Sequence, residues 1–253
     1  MSATTWLAYF EGNARCDRRA VASLCSEVPA ALRAPLALSL GRFQLGEAAG
    51  GRIHDEMNAP VRGLGAATRR SVQLYIEEEW RHARELATII EALGGKLQTA
   101  HWTNGAFTAC RRLLGLRTKM MTLAIAEVVG IVYYRALARG VGSPALGSSL
   151  ELIASEESRH LDFQAAFFEQ QLALTPAPWR TARRWLLRGW MGAILTAALL
   201  VLWLDHGALL RRVGGEAWTL ARASWQELAR RRFLAQPRLS PLPQPSYALT
   251  HER

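Results

Sequence analysis

Glu78-Glu79-Trp80-Arg81-His82 and Glu156-Glu157-Ser158-Arg159-His160 repeat one pattern, Glu-Glu-x-Arg-His, at two well-separated places in a chain of 253 residues. Residues three apart share a helix face, so Glu79 with His82, and Glu157 with His160, each present a carboxylate and an imidazole in one direction. Around both copies, Ala/Leu/Arg/Glu-rich sequence sets apolar residues three and four apart, the period of amphipathic helices. Either copy alone also fits a solvated, salt-bridged helix face. Their surroundings decide between the two readings.

Working outward, few stretches alternate with a strand period, and the chain reads as all-α. Pro60, Gly94-Gly95, Gly140 to Pro144 and Pro176 to Pro178 punctuate it, which predicts core helices over residues 30 to 57, 67 to 93, 116 to 139 and 145 to 173, with a shorter helix before them. The first and second, and the third and fourth, are joined by short turns. Roughly twenty residues, from about Gly95 to Leu116, separate the second and third. One long crossover between two antiparallel hairpins is the topology of a ferritin-like four-helix bundle.

Two Glu-x-x-His pairs supply half of a two-metal carboxylate site, and the other half needs one carboxylate from each remaining core helix. Glu127 is the only acid in the otherwise apolar stretch from Thr118 to Leu137, where an unpaired buried carboxylate would be costly. In the first helix the candidate is Glu47, within Phe43-Gln44-Leu45-Gly46-Glu47-Ala48-Ala49-Gly50, with His54 or Glu56 as substitutes in a different register. The intervals from Glu47 to Glu79, Glu79 to Glu127 and Glu127 to Glu157 are 32, 48 and 30 residues. The crossover stretches the middle one, and all four carboxylates can meet near mid-bundle. Four carboxylates and two imidazoles (Glu47, Glu79, His82, Glu127, Glu157, His160) suit iron or manganese. Glu78, Arg81, Glu156 and Arg159 repeat beside the ligands and are expected to form ion pairs across the hairpins, Glu78 or Glu156 orienting the opposite histidine. Tyr134 returns to the face of Glu127, either as a redox or supporting tyrosine or as a core tyrosine with a satisfied hydroxyl.

At these residues the sequence resembles the ferritin-like di-iron carboxylate superfamily, and Glu-Glu-x-Arg-His is similar to the motif of soluble acyl carrier protein desaturases and related oxygenases. The resemblance covers roughly residues 30 to 173. It implies two iron ions, or a manganese and iron pair, that react with O2, and an oxidase or oxygenase of desaturase or hydroxylase type. No catalytic residue beyond the metal ligands is implied. An iron-storage or peroxide-detoxifying protein on the same bundle is the alternative. The basic extension and Pro-rich tail speak against a closed storage cage, and the lack of a Cys-x-x-Cys pair against a rubrerythrin-like peroxidase.

The divisions expected are an N-terminal helical segment (1–29), the bundle (30–178), a basic and apolar helical extension (179–234) and a Pro-rich tail (235–253). Arginine and lysine number 31 against 21 acids, a formal net charge of +10, which favours an acidic partner such as anionic lipid or an acidic carrier protein. Nucleic acid is the weakest of the acidic partners, for want of a recognisable nucleic-acid-binding motif, and is not expected. Cys16, Cys25 and Cys110 are odd in number and lack metal-ligand spacing, and the first ten residues carry no leader pattern, so a cytoplasmic, membrane-associated or free protein is expected. Gly189 to Leu204 holds 16 residues without a charge. That is short for a spanning helix, so a helix packed on the bundle, joining a homodimer, or lying in the plane of a membrane fits better. Together these features imply a hydrophobic substrate, free or carrier-bound, with O2 and an electron donor of unidentified kind.

Overall fold

The computed structural model describes residues 2–15, 25–58, 64–102, 105 and 116–231. Among them are eight α-helices and no strand: α1 (Ala3–Ala14), α2 (Ala30–Glu47), α3 (Gly51–Glu56), α4 (Ala66–Ala92), α5 (Leu116–Gly140), α6 (Pro144–Ala173), α7 (Ala177–Arg212) and α8 (Ala217–Arg230). The chain is all-α. Three of the four expected core helices, now α4, α5 and α6, begin and end within a residue of where the punctuation put them.

The first core helix is the exception. It was expected over residues 30 to 57, but α2 stops at Glu47, a 3-10 turn covers Ala48–Gly50, and α3 follows from Gly51. The reason is local: adjacent glycines, Gly50 and Gly51, each cost a helix interior about 1 kcal/mol relative to alanine. Glu47 therefore stands at a helix end, not within a helix.

The other ends follow known stop signals. Gly94, at φ +80°, closes α4, and the amides of Gly94 and Gly95 return to the carbonyls of Glu91 and Ile90, both at 2.9 Å. This is the paired bonding of a Schellman motif. Between α5 and α6, Gly142 turns the chain at φ +71°, and the Ser143 side chain caps α6 at the amide of Leu146. A three-residue turn forces α5 and α6 to run antiparallel. Pro178 lies in the first turn of α7, where a missing N–H costs nothing.

The expected crossover, residues 95 to 116, lies mostly outside the described residues, as do Pro60 and the whole Pro-rich tail. So do Cys16 and Cys110; Cys25 is buried.

In packing, α5 is the centre: it touches α6, α7 and α8, while α2 packs on α4 and α7, and α1 packs on α4. Its apolar stretch, Thr118–Gly140, is long and hydrophobic enough to cross a membrane but is 83% buried, as a core helix would be. The N-terminal helix adds Trp6 and Phe10 to the same hydrophobic core. α7 is different. Met191, Leu195, Leu202, His206 and Leu210 are buried on one side, while Trp185, Leu186, Trp190, Leu200 and Leu204 are exposed on the other.

Candidate metal centre

Four helices deliver the six residues expected at the site. Glu47 comes from the end of α2, Glu79 and His82 from α4, Glu127 from α5, and Glu157 and His160 from α6. Their side-chain donor atoms form two four-residue groups able to hold a metal ion, Glu47, Glu79, His82 and Glu157 in one, and Glu79, Glu127, Glu157 and His160 in the other, and a third, smaller group of Glu78, His82 and Glu156 lies beside them. Within each group the atoms lie within 4.8 Å of one another, and Glu79 and Glu157 belong to both four-residue groups. Glu47 is half-buried and the other five are buried. The substitutes for Glu47 are placed elsewhere: Glu56 pairs with Lys119, and His54 lies 3.4 Å from Glu77.

His160 Nδ1 hydrogen-bonds Glu157 Oε2 at 3.2 Å, but other close contacts inside the cluster are not hydrogen bonds. His82 Nδ1 lies 2.8 Å from Glu157 Oε1, and His160 Nδ1 lies 2.8 Å from Glu79 Oε1. Yet His82 Nδ1, Glu157 Oε1 and Glu79 Oε1 have no hydrogen-bond partner, nor has Glu127 Oε2, although all are buried. Buried polar atoms are seldom left so. Ligands about 2.0–2.2 Å from one ion and at right angles to each other stand about 3 Å apart without needing to bond. The donor set and its unpartnered atoms fit a metal.

Both imidazoles turn Nδ1 toward the cluster and Nε2 away from it. His82 Nε2 lies 2.9 Å from Glu156 Oε2, and His160 Nε2 lies 3.7 Å from Glu78 Oε2. Each histidine thus meets the extra glutamate of the other motif. Arg81 lies between these glutamates, donating to Glu78 at 2.8 Å and to Glu156 at 3.1 Å. Arg159 does not do the same. It reaches Asp162 at 3.5 Å and its side chain is 40% exposed. The repeat suggested a symmetry that packing breaks: α1 lies over α4, and the Asn13 carbonyl accepts a bond from Arg81, while Arg159 has no such cover.

Tyr134 donates to Glu47 Oε1 at 2.9 Å. Three more residues support the cluster without having been expected there. Tyr75 donates to Glu127 Oε1, Gln164 Nε2 donates to the same oxygen at 2.5 Å, and Asn13 Nδ2 donates to Glu78 at 3.2 Å. Spacing held a signal for two of them. Tyr75 precedes Glu79 by four residues and Gln164 follows His160 by four, so each shares a face with a ligand.

The cluster's demand for positive charge governs its titration. Burial, reinforced by Glu79 and Glu157, raises the Glu47 carboxyl well above its usual range. Burial does the same to Glu127 against the opposing pull of His160, with Glu157 and Glu79 adding to the rise. For Glu157 burial opposes ionisation, but His160 and His82 overcome it and hold the group at about 2. Burial also disfavours the two imidazolium ions. Glu156 and Glu157 nevertheless raise His82, and Glu157, Glu78 and Glu79 raise His160, well above the usual range. At neutral pH the metal-free centre therefore carries protons on groups that bind metal only without them. Divalent metal binding at pH 7 is expected to release more than one proton per chain and to weaken as pH falls. Calorimetry in buffers of differing ionisation enthalpy reads this directly; binding without proton release would contradict it.

Beside the cluster lies a cavity of about 150 Å³, bounded by α2 (Arg42, Phe43, Gly46, Glu47), α5 (Thr122, Leu123, Ala126, Glu127, Val129, Gly130) and α7 (Ala198, Val201, Leu202, His206), with Glu79 and Glu157 at its base. All four cluster carboxylates line it and neither histidine does. A bound ion would have its imidazole side closed and its carboxylate side facing an apolar chamber. The far end is polar: Ser39 Oγ bonds Tyr133 at 2.6 Å and His206 Nδ1 at 2.7 Å. Burial, with Arg42 and His101 near, holds His206 neutral with its pKa lowered to about 3. No protein-family model, curated protein or solved structure matches the chain, so the centre is interpreted from its own geometry.

Proposed function

We propose that α2, α4, α5 and α6 form a ferritin-like four-helix bundle that holds two iron ions, or one manganese and one iron, and uses O2 to desaturate or hydroxylate a hydrophobic substrate. One observation carries this reading: the two four-residue groups able to hold a metal overlap in Glu79 and Glu157 and differ in Glu47 with His82 and in Glu127 with His160. Two terminal pairs and two shared carboxylates are what a pair of ions in a common site requires. An oxygen-rich set with two imidazoles favours iron or manganese over copper or a thiolate-bound metal.

When bound, such a metal pair supplies electrons to O2 and an oxidant strong enough to attack an unactivated C–H bond. The protein's part is positional. Glu156 hydrogen-bonds the outward nitrogen of His82, and Glu78 stands 3.7 Å from that of His160, so that a carboxylate lies behind each histidine. Tyr75 and Gln164 both hold one oxygen of Glu127, leaving Oε2 for a metal. Glu47 is restrained more loosely, by Tyr134 alone among these hydroxyls, at the end of its helix and facing the cavity. It is the carboxylate best placed to shift when O2 and substrate arrive. Apolar walls from α5 and α7 exclude water and receive an alkyl segment against the carboxylate side. A cavity of about 150 Å³ accommodates a group of roughly benzene size, so a longer chain would place only its reacting segment there. Either reaction takes up O2 with two electrons and two protons, which an external donor must provide.

The test is to supply the iron-loaded protein with O2, a reductant and lipophilic substrates, and to analyse products by mass spectrometry. A product two hydrogens lighter or one oxygen heavier is expected. Growth of a mineral of many irons per chain, with substrate unchanged, would replace this reading with iron storage.

Substituting Glu156 by glutamine removes a charged acceptor from His82 Nε2 and a partner of Arg81. Metal affinity is expected to fall by about 10–100-fold, the usual effect of losing a ligand's outer partner. Titration with ferrous ion under anaerobic conditions measures it, and unchanged affinity would remove Glu156 from this role.

A further inference from the structure

Among the described residues nothing covers the outer face of α7, and its make-up is unusual. Trp185, Leu186, Trp190, Leu200 and Leu204 are 66, 74, 51, 61 and 70% exposed. At 100° per residue, Leu186, Ala193, Ala197, Leu200 and Leu204 fall within about 60° of arc, and Trp185 and Trp190 flank them. Trp225 of α8 stands against Gly192 beside this face and is itself 44% exposed. No charged residue interrupts Gly189 to Leu204, over a length of about 24 Å. Monomeric soluble proteins rarely leave so continuous an apolar surface to water.

Both ends of the stripe are basic. Arg180, Arg183, Arg184 and Arg188 precede it and Arg211 and Arg212 follow. Arg188 lies over the ring of Trp185 and Arg211 over that of Trp203, at 5.6 and 5.3 Å from the ring centres. Tryptophan and arginine around an apolar stripe match the layered polarity of a lipid surface, where rings sit at headgroup level and guanidinium groups meet phosphates. A spanning orientation is disfavoured by the opposite side of the same helix, where Met191, Leu195, Leu202 and Leu210 are buried against its neighbours, α5 foremost. The helix is long and apolar enough to cross a membrane, but crossing would strip its buried side from these neighbours, whereas lying in the membrane plane keeps them.

The inward side of this helix also supplies Ala198, Val201, Leu202 and His206 to the cavity wall. One helix thus separates the exposed stripe from the chamber above the carboxylates.

We propose that α7 docks the protein, in plane, on a bilayer containing anionic lipid, and that the substrate is a lipophilic molecule drawn from that bilayer into the cavity behind the helix. The substrate class rests on the oxidase reading given above; the docking surface does not, because neither the stripe nor its arginines touch the metal cluster. The full-length protein, with and without iron, is to be floated with vesicles of phosphatidylcholine alone and of phosphatidylcholine with phosphatidylglycerol. Both forms are expected to float with the anionic vesicles at least tenfold better than with the neutral ones, with a blue shift of tryptophan emission and a loss of binding in high salt.

A variant carrying Leu186→Glu, Leu200→Glu and Leu204→Glu, all at exposed positions, is expected to lose at least 90% of this binding while keeping its metal content, which certifies its fold. Failure of the metal-free and iron-loaded protein alike to bind anionic vesicles would overturn the docking. So would a soluble dimer that the triple substitution dissociates, since a second copy would then cover the stripe, or capture by an acidic carrier protein in preference to vesicles. Vesicle binding with no oxidation of any bilayer-borne compound, by protein that oxidises water-soluble substrates, would keep the docking and overturn the substrate class.

Discussion

On the proposed two-ion reading, replacing Glu157 by alanine is expected to abolish binding of both ions at concentrations that load the unmodified protein. Glu157 belongs to both four-residue groups able to hold a metal, and its oxygens lie 2.8 Å from His82 Nδ1 and 3.2 Å from His160 Nδ1. Its loss removes a donor from each ion and the nearest carboxylate partner of one imidazole and a close partner of the other. The affinity loss should exceed the about 10–100-fold expected when only an outer partner is removed. Glu127→Ala is the informative contrast. Glu127 belongs to one group alone, so that variant should retain one ion better than the other and show two unequal binding phases. Equal, mild effects of the two substitutions would mean that Glu157 is not shared.

Gly140→Val is expected to be the most damaging single change away from the centre. A Cβ on Gly140 would stand 2.3 Å from the carbonyl oxygen of Val213 and 2.5 Å from its Cβ. The obstacle includes backbone at the end of α7, which cannot yield as a side-chain tip does. The cost lies toward the upper end of overpacking penalties, about 3 kcal/mol. For a chain of this size it should lower Tm by about 6–12 °C. Because Gly140 ends α5 and Val213 follows α7, the strain falls on the seating of the helix that walls the cavity. Gly12→Ala, where an added Cβ meets nothing within 4 Å, is the control and should leave Tm unchanged or slightly raised. Thermal unfolding followed by circular dichroism compares the two; similar curves would contradict the close approach.

These two predictions draw on features that differed in how well the sequence displayed them. Glu79, His82, Glu157 and His160 could be found because a helix turns their three-residue spacing into a common direction. Glu127 could be found because it is the only acid in an apolar helix. The ends of α4, α5 and α6 were legible because glycine and proline act there through local backbone conformation. The break after Glu47 was also local, and the Gly50-Gly51 pair was its signal, set aside in favour of Pro60 as the helix stop. Arg159 was misjudged by analogy with Arg81, since the burial of Arg81 comes from α1, a helix distant in sequence whose packing no motif announces. Asn13 was missed for the same reason. Tyr75 and Gln164 lay one helical turn from ligands, but a single tyrosine or glutamine on an apolar face is ordinary until a carboxylate is seen opposite it. The inward half of α7 was hidden as well: a charge-free run fits a packed helix and a lipid-facing one equally, and α7 presents both faces.

As proposed, one chain holds a pair of metal ions through carboxylates common to both. The most direct measurement is a Mössbauer spectrum of the full-length protein loaded anaerobically with ⁵⁷Fe(II), then oxidised, with the iron content of the same sample determined. Two irons per chain are expected and, after oxidation, a diamagnetic, antiferromagnetically coupled pair. A single magnetically isolated iron per chain, or no bound iron at all, would contradict it.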